Sequence, residues 1–238
     1  MSVNITFLGG TGTVTGSKYL VQHGGKQLLV DCGLFQGFKQ LRLRNWNPMP
    51  LEAVDVDAVL LTHAHLDHSG YLPLLYRQGY RGRVHATPAT CDLCAILLPD
   101  SGHIQEEDAA FVNRHGFTKH EPAMPLYGKH DALQSLQLLK PEREGISFSP
   151  LPGWKATFSH AGHILGAASI LLEVADRRIL FSGDVGRPDD LIMKAPDLPP
   201  DADTVLIEST YGNREHPKED VLAELAPALK RVAARGGV

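Results

Sequence analysis

Apolar residues fall mostly in short runs along the chain, and several of these runs end on a polar or acidic residue. Residues 3–8, 28–30, 58–61, 170–174, 179–181 and 205–207 have the length and side-chain content of strands. Gly24-Gly25 between residues 19–21 and 28–30 predicts a tight hairpin. Helical spacing is expected over residues 69–77, 90–98, 104–114 and 130–138, with Asp100-Ser101 as a cap opening the third of these. A further amphipathic pattern over residues 219–235 places Val221, Leu225, Leu229 and Val232 on one face, with Pro227 predicted to kink or break it. Residues 194–203, rich in Pro, Asp and Ala, read as a surface loop. Strands come in adjacent pairs, then helices, then strands again. That order predicts an α/β protein with mixed sheets packed together and helices outside, not a doubly wound parallel sheet.

Composition narrows the class. The chain has 238 residues, enough for one large domain or two small ones. No run approaches the roughly 18 apolar residues of a membrane span, so no membrane partner is expected. No signal peptide is apparent at the start. Three cysteines, Cys32, Cys91 and Cys94, are too few for a disulfide framework and suit a cytoplasmic protein. A net charge of -4 argues against gripping nucleic acid through bulk positive charge, although a local basic groove is compatible with it.

The chemistry concentrates in His63-Ala64-His65-Leu66-Asp67-His68, which follows the strand at 58–61 and precedes a predicted helix. Imidazole and carboxylate are zinc ligands. His63 and His65 are two apart, so in extended backbone they point the same way and can share one metal. Asp67 and His68 lie at the turn into the helix and can face a second metal close by. So many ionisable groups beside a core are costly unless a metal or partner compensates. Four other strand ends carry candidate groups: Asp31, His163 after Ala161-Gly162, Asp184 after Ser182-Gly183, and Glu208. Each alone is an ordinary turn residue; together they predict one cleft at the carboxyl ends of strands.

These residues resemble the metallo-β-lactamase superfamily through the His-x-His-x-Asp-His signature. The segments Asp31-Cys32-Gly33-Leu34-Phe35-Gln36-Gly37, Ala161 to Ala167, Ser182-Gly183-Asp184 and Glu208-Ser209-Thr210-Tyr211-Gly212 resemble its β-CASP branch, which contains RNA-processing nucleases. The resemblance runs from Ile5 to about Gly212. It implies an αββα sandwich, incomplete at the C-terminus. Residues 1–212 would form the N-terminal part of the metallo-β-lactamase domain, and 213–238 the start of a truncated β-CASP domain. It also implies two Zn2+ per complete site: His63, His65 and His163 on one, Asp67 and His68 on the other, Asp184 bridging. Asp31 would orient a ligand histidine, Asp67 would help hold the nucleophilic water, and Glu208 would position a histidine that acts on the leaving group. The last ligand of the second zinc belongs to chain beyond this stretch. The implied substrate is single-stranded RNA, and the oligomeric state is left open.

Other readings compete. A two-zinc hydrolase of a small ester or thioester fits the ligand set, but the Glu208–Gly212 segment argues against it. A non-catalytic scaffold would have lost ligands, and every ligand position in this window is filled. Lys39-Gln40-Leu41-Arg42-Leu43-Arg44-Asn45-Trp46 has three cations and an aromatic, suited either to tracking a phosphate backbone or to a solvated face. Gly10 to Gly16 imitates a dinucleotide-binding turn with the wrong spacing, and the hairpin after it leaves no room for a crossover helix. Cys91 and Cys94 read as thiols on one helix face, and His103, His115, His120 and His130 as surface or core-edge residues. His160 fits a catalytic, a supporting or a packing role.

Overall fold

The computed structural model describes residues 2–117, 119–215 and 220–237. Residues up to Glu208 form one compact unit, and Ser209 onward a second.

In the first unit β1 (Asn4–Gly9), β2 (Lys18–His23), β3 (Lys26–Val30), α1 (Lys39–Leu43), β4 (Ala58–Leu60), α2 (Leu66–Ser69), α3 (Leu72–Arg77), β5 (Arg83–Ala86), α4 (Pro88–His115), α5 (Lys129–Ser135), β6 (Leu139–Pro141), β7 (Trp154–His160), β8 (Ala168–Val174), β9 (Arg177–Phe181) and β10 (Thr204–Leu206) follow in order. The strands make a six-stranded sheet in the order β1-β2-β3-β4-β5-β6 and a four-stranded sheet in the order β10-β9-β8-β7. β3 to β6 run parallel, and β9 pairs parallel with β10. The hairpin β2–β3 forms as predicted, with Gly24 and Gly25 both at positive φ (60° and 76°), the backbone its two-residue turn requires.

Alternation along the central strands sorts side chains into two cores. Leu28, Val30, Ala58 and Leu60 meet Phe158, Ile170, Leu172 and Phe181 between the sheets. Leu29, Val59 and Leu61 face the other way, onto Leu72, Leu75, Cys94 and Leu98 of the helical layer. Strands buried on both faces read as continuous apolar runs, which is why 28–30 and 58–61 were legible. The result is a helix–sheet–sheet sandwich of α/β class.

Several predicted elements are redrawn. Residues 69–77 divide into α2 and α3. The two helices expected over 90–98 and 104–114 are one, α4, and Asp100-Ser101 lies inside it instead of capping a second helix. The N-cap is Thr87, whose hydroxyl accepts the Thr90 amide at 3.2 Å; Pro88 takes the first turn and Gly116 (φ +66°) ends the helix. Pro99 sits mid-helix, where it forfeits a backbone bond at a cost of about 3 kcal/mol. Packing overrides it: Cys94 and Leu98 are buried, Ser101 bonds Tyr127 at 2.9 Å, and a Cβ on Gly102 would lie 2.7 Å from the Gly128 backbone. Residues 194–203 form no regular element, as expected. Cys94 is buried and Cys91 half-buried on α4; His103, His115, His120 and His130 are exposed.

The second unit contains α6 (Val221–Ala234), capped by Asp220, which accepts the Leu222 and Ala223 amides at 3.0 and 3.1 Å. It runs through Pro227 without ending there, and the expected Glu219 start lies outside the described residues. Among the described residues, no helix is long and apolar enough to cross a membrane.

Candidate metal centre

The ends of β3, β4, β9 and β10, with the loop after β7, deliver the candidate groups. β3 ends at Asp31, which turns into the left-handed region (φ +59°), a conformation Asp tolerates better than most residues. Its amide donates to the Leu60 carbonyl at 2.8 Å, so the end of β4 is tied to it. The Asp31 carboxylate is buried and accepts the Thr62 amide at 2.8 Å, the Thr62 hydroxyl at 3.0 Å and the His68 Nδ1 at 2.7 Å.

Thr62 decides how His63 is presented. A hydroxyl has one proton, and beside an ionised carboxylate, which only accepts, it gives that proton to Asp31. It must then accept from His63 Nδ1, 3.0 Å away. His63 Nε2 is left with its lone pair facing the cluster, 3.0 Å from His65 Nδ1 and 3.8 Å from Asp184 Oδ2. By the same logic His68 donates Nδ1 to Asp31 and turns Nε2 toward Asp184 Oδ1 at 3.3 Å and Asp67 Oδ2 at 3.9 Å.

Two glycines allow the close approaches. A Cβ on Gly33 would lie 1.6 Å from the Asp67 carbonyl oxygen, so only glycine lets the loop after β3 press against the ligand loop. Gly183, at φ +57°, would place a Cβ 2.8 Å from Thr62 Cβ; its bareness brings the end of β9, and Asp184, over the cluster. His163 arrives on a loop fastened by its backbone: the Gly166 carbonyl accepts from the Thr87 and Thr90 hydroxyls at 2.7 and 2.9 Å. His163 Nε2 then stands 3.2 Å from His65 Nδ1 and 3.5 Å from Asp184 Oδ2.

One donor atom each from His63, His65, His163 and Asp184 lies within 4.8 Å of every other. A tetrahedral zinc with ligands at about 2.0–2.1 Å separates neighbouring donors by roughly 3.3 Å, so this set fits such an ion closely. Asp184 divides its oxygens, Oδ2 toward His63 and His163 and Oδ1 toward His68. Asp67 is at the rim, and Glu208 stands outside the cluster: its amide donates to the Ser182 hydroxyl at 3.0 Å and its Oε1 faces the Val185 amide at 3.5 Å.

The electrostatics follow. Burial, reinforced by neighbouring His68, pushes the His63 pKa down to about 2, keeping it neutral and able to ligate. His65 is lowered by burial and then by His163. Burial also disfavours charge on His68, but Asp31 and Asp184 outweigh it and raise its pKa to about 10. For Asp184, burial acts upward, but the hydrogen bond and charge of His68 prevail and lower its pKa to about 2. Two carboxylates thus hold a positive charge at the position a cation would take.

Sequence reading missed Thr62 and also Ser17, whose hydroxyl is 3.3 Å from Asp31 Oδ2 and whose amide donates to the Asp67 carbonyl at 2.8 Å. It left His160 open. The structure gives it a supporting contact: its Nε2 lies 3.3 Å from the Lys194 carbonyl, and its amide donates to Asp197 at 3.1 Å.

Residues 26–236 match the family described as a beta-lactamase superfamily domain. Ribonuclease TTHA0252 of Thermus thermophilus is 38% identical over 99% of this chain and 50% of its own length. Endoribonuclease YSH1 of Kluyveromyces lactis is 31% identical over 97% of this chain and 30% of its own length. Transcription termination factor FttA of Methanocaldococcus jannaschii is 30% identical over 99% and 36% respectively. The chain spans half or less of the length of these relatives. It belongs to the metallo-β-lactamase superfamily, and relatives named as ribonucleases agree with the β-CASP branch that its Glu208–Gly212 segment resembles.

Proposed function

We propose that this chain carries the zinc-binding part of a cytoplasmic hydrolase that cuts phosphodiester bonds in single-stranded RNA. The observation that carries the reading is the divided carboxylate of Asp184, which splits one donor set into two adjoining positions. Two adjoining cations suit hydrolytic displacement, including in-line attack at phosphorus. The names of the relatives point to RNA.

His63 Nε2, His65 Nδ1 and His163 Nε2 would hold one zinc, His68 Nε2 and Asp67 the other, with Asp184 shared. When bound, the two ions supply charge that stabilises the phosphoryl oxygens and make water a nucleophile near neutral pH. The chain does the rest. Thr62 accepts from His63 Nδ1, so His63 offers its Nε2 lone pair without reorganising; Asp31 orients His68, which would give up its Nε2 proton to ligate. Asp67, at the rim, would help hold and orient the attacking water. Glu208 orients the group that protonates the leaving 3′ oxygen.

The test is the full-length protein with end-labelled single-stranded RNA, with and without chelator, beside Asp67→Ala. Chelator-sensitive cleavage that the variant lacks is expected, with product lengths giving endonuclease or exonuclease mode. Intact RNA after incubation with zinc-loaded wild type refutes the reading.

A further inference from the structure

We infer that the open groove between α1 and α4 is a track for single-stranded RNA beyond the scissile nucleotide, with Trp46 as its stacking platform; this rests on the nuclease reading above. The groove encloses about 760 Å3. Leu66 is part of its lining, and its backbone neighbours His65 and Asp67 belong to the ligand loop, so the wall of the groove is continuous along the chain with the metal centre.

Three properties identify the occupant. The first is an aromatic surface turned to water. Trp46 is 54% exposed, whereas Trp154 is buried in the sandwich. The segment carrying Trp46 is nonetheless fixed, because its neighbour Asn45 is buried and bonds the Phe35 amide and carbonyl at 2.8 Å each. An aromatic plane held on a rigid backing loses little freedom when a base stacks on it.

The second is unspent positive charge. Lys39 and Arg42 line the same groove, three apart on α1, and neither forms an ion pair among the described residues. Asp108 on α4 is the one carboxylate in the lining, so the excess charge lies on the α1 side, beside Trp46.

The third is apolar lining. Leu34, Leu66 and Val112 in the lining contribute apolar surface, suited to base faces and poorly suited to a solvated duplex backbone. An aromatic platform, unpaired cations and apolar lining are the parts of a single-strand track that tolerates any sequence. They also reconcile a net charge of -4 with a nucleic-acid substrate, since the positive charge is placed locally.

The experiment uses full-length protein. A 20-nucleotide RNA is titrated in chelator, so that it binds without being cut, and tryptophan fluorescence is followed for wild type, Trp46→Phe and Lys39→Gln/Arg42→Gln. The variants are then compared with zinc on that RNA and on a dinucleotide. Wild-type fluorescence should be quenched, and Trp46→Phe should lose most of that signal. Trp46→Ala should weaken RNA binding roughly ten-fold or more. The double variant should lower the slope of log affinity against log salt by about 1.4. In both, kcat/KM for the long RNA should fall at least several-fold more than for the dinucleotide. RNA cleaved with unchanged affinity and salt slope by all variants overturns the track, gives the groove to a protein partner, and leaves the nuclease reading standing. No binding and no cleavage by zinc-loaded wild type overturns both.

Discussion

His68 and His163 reach the same centre by different means. His68 is braced from behind by the buried Asp31 carboxylate, and its side chain is 7% exposed. His163, 27% exposed, rides on a loop held through the Gly166 carbonyl, with its ring directed mainly by the other ligands. One half of the centre is held by a buried carboxylate behind the ligand; the other is held by the backbone of its loop. The braced half should tolerate loss of metal without rearranging but fail when its brace is cut. The looped half should behave the opposite way.

Asp184 belongs to both halves, so its removal should erase the contrast. Asp184→Ala is expected to lower kcat by at least about a thousand-fold, the equivalent of about 4 kcal/mol, and to reduce bound zinc as counted by elemental analysis. A variant that keeps both zincs and most activity would show that the carboxylate does not span the two positions.

Cutting the brace comes next. Asp31→Ala strands the buried Thr62 amide and leaves His68 uncompensated; zinc affinity should fall about 10- to 100-fold, and denaturant titration should show about 3 kcal/mol lost. Truncating a hydroxyl brace of the His163 loop, Thr90→Val, should cost about 1 kcal/mol and leave zinc affinity nearly intact. Equal costs for the two would erase the distinction.

Thr62→Val keeps shape and removes the oxygen that accepts from His63 Nδ1 and so sets its tautomer. An approximately ten-fold loss of activity is expected, with a smaller change in melting temperature.

The smallest effect concerns pH in chelator. The His68 pKa is raised in the folded protein, so its contribution to stability is complete below about 6.5 and declines as pH rises toward about 10. Metal-free protein should therefore melt lower at pH 8 than at pH 6.5, and Asp31→Asn should flatten that slope. Lys18, whose pKa burial lowers to about 8, acts in the opposite sense above that pH, so the window stops there.

The sequence made the centre legible because ligand chemistry is local: His63 to His68 occupy six positions, and acidic residues at strand ends mark a cleft. The brace was not legible. Thr62 and Ser17 are ordinary residues whose importance lies in contacts with Asp31 across 31 and 14 positions. α4 was misread because Pro99 and Asp100-Ser101 carry a local signal for a break, which the packing of Gly102 on Gly128 overrules. β5 was missed because four residues with a histidine among them do not look like the interior of a sheet, and β6 because it ends on Pro141. In β7, Trp154, Ala156 and Phe158 alternate with polar residues, the pattern of a half-buried strand, and only its end near His163 entered the sequence reading.

Gly183 resting on Thr62 joins the two sheets at the point where the ligands converge. Metal loading and cohesion of the sandwich therefore share one seam. A cation bound there ties β4 to β9 as a rivet ties two plates, and its removal should be felt far from the cleft. Amide hydrogens along β8 and β9 should exchange with deuterium faster after chelation, out to the strand ends away from the ligands.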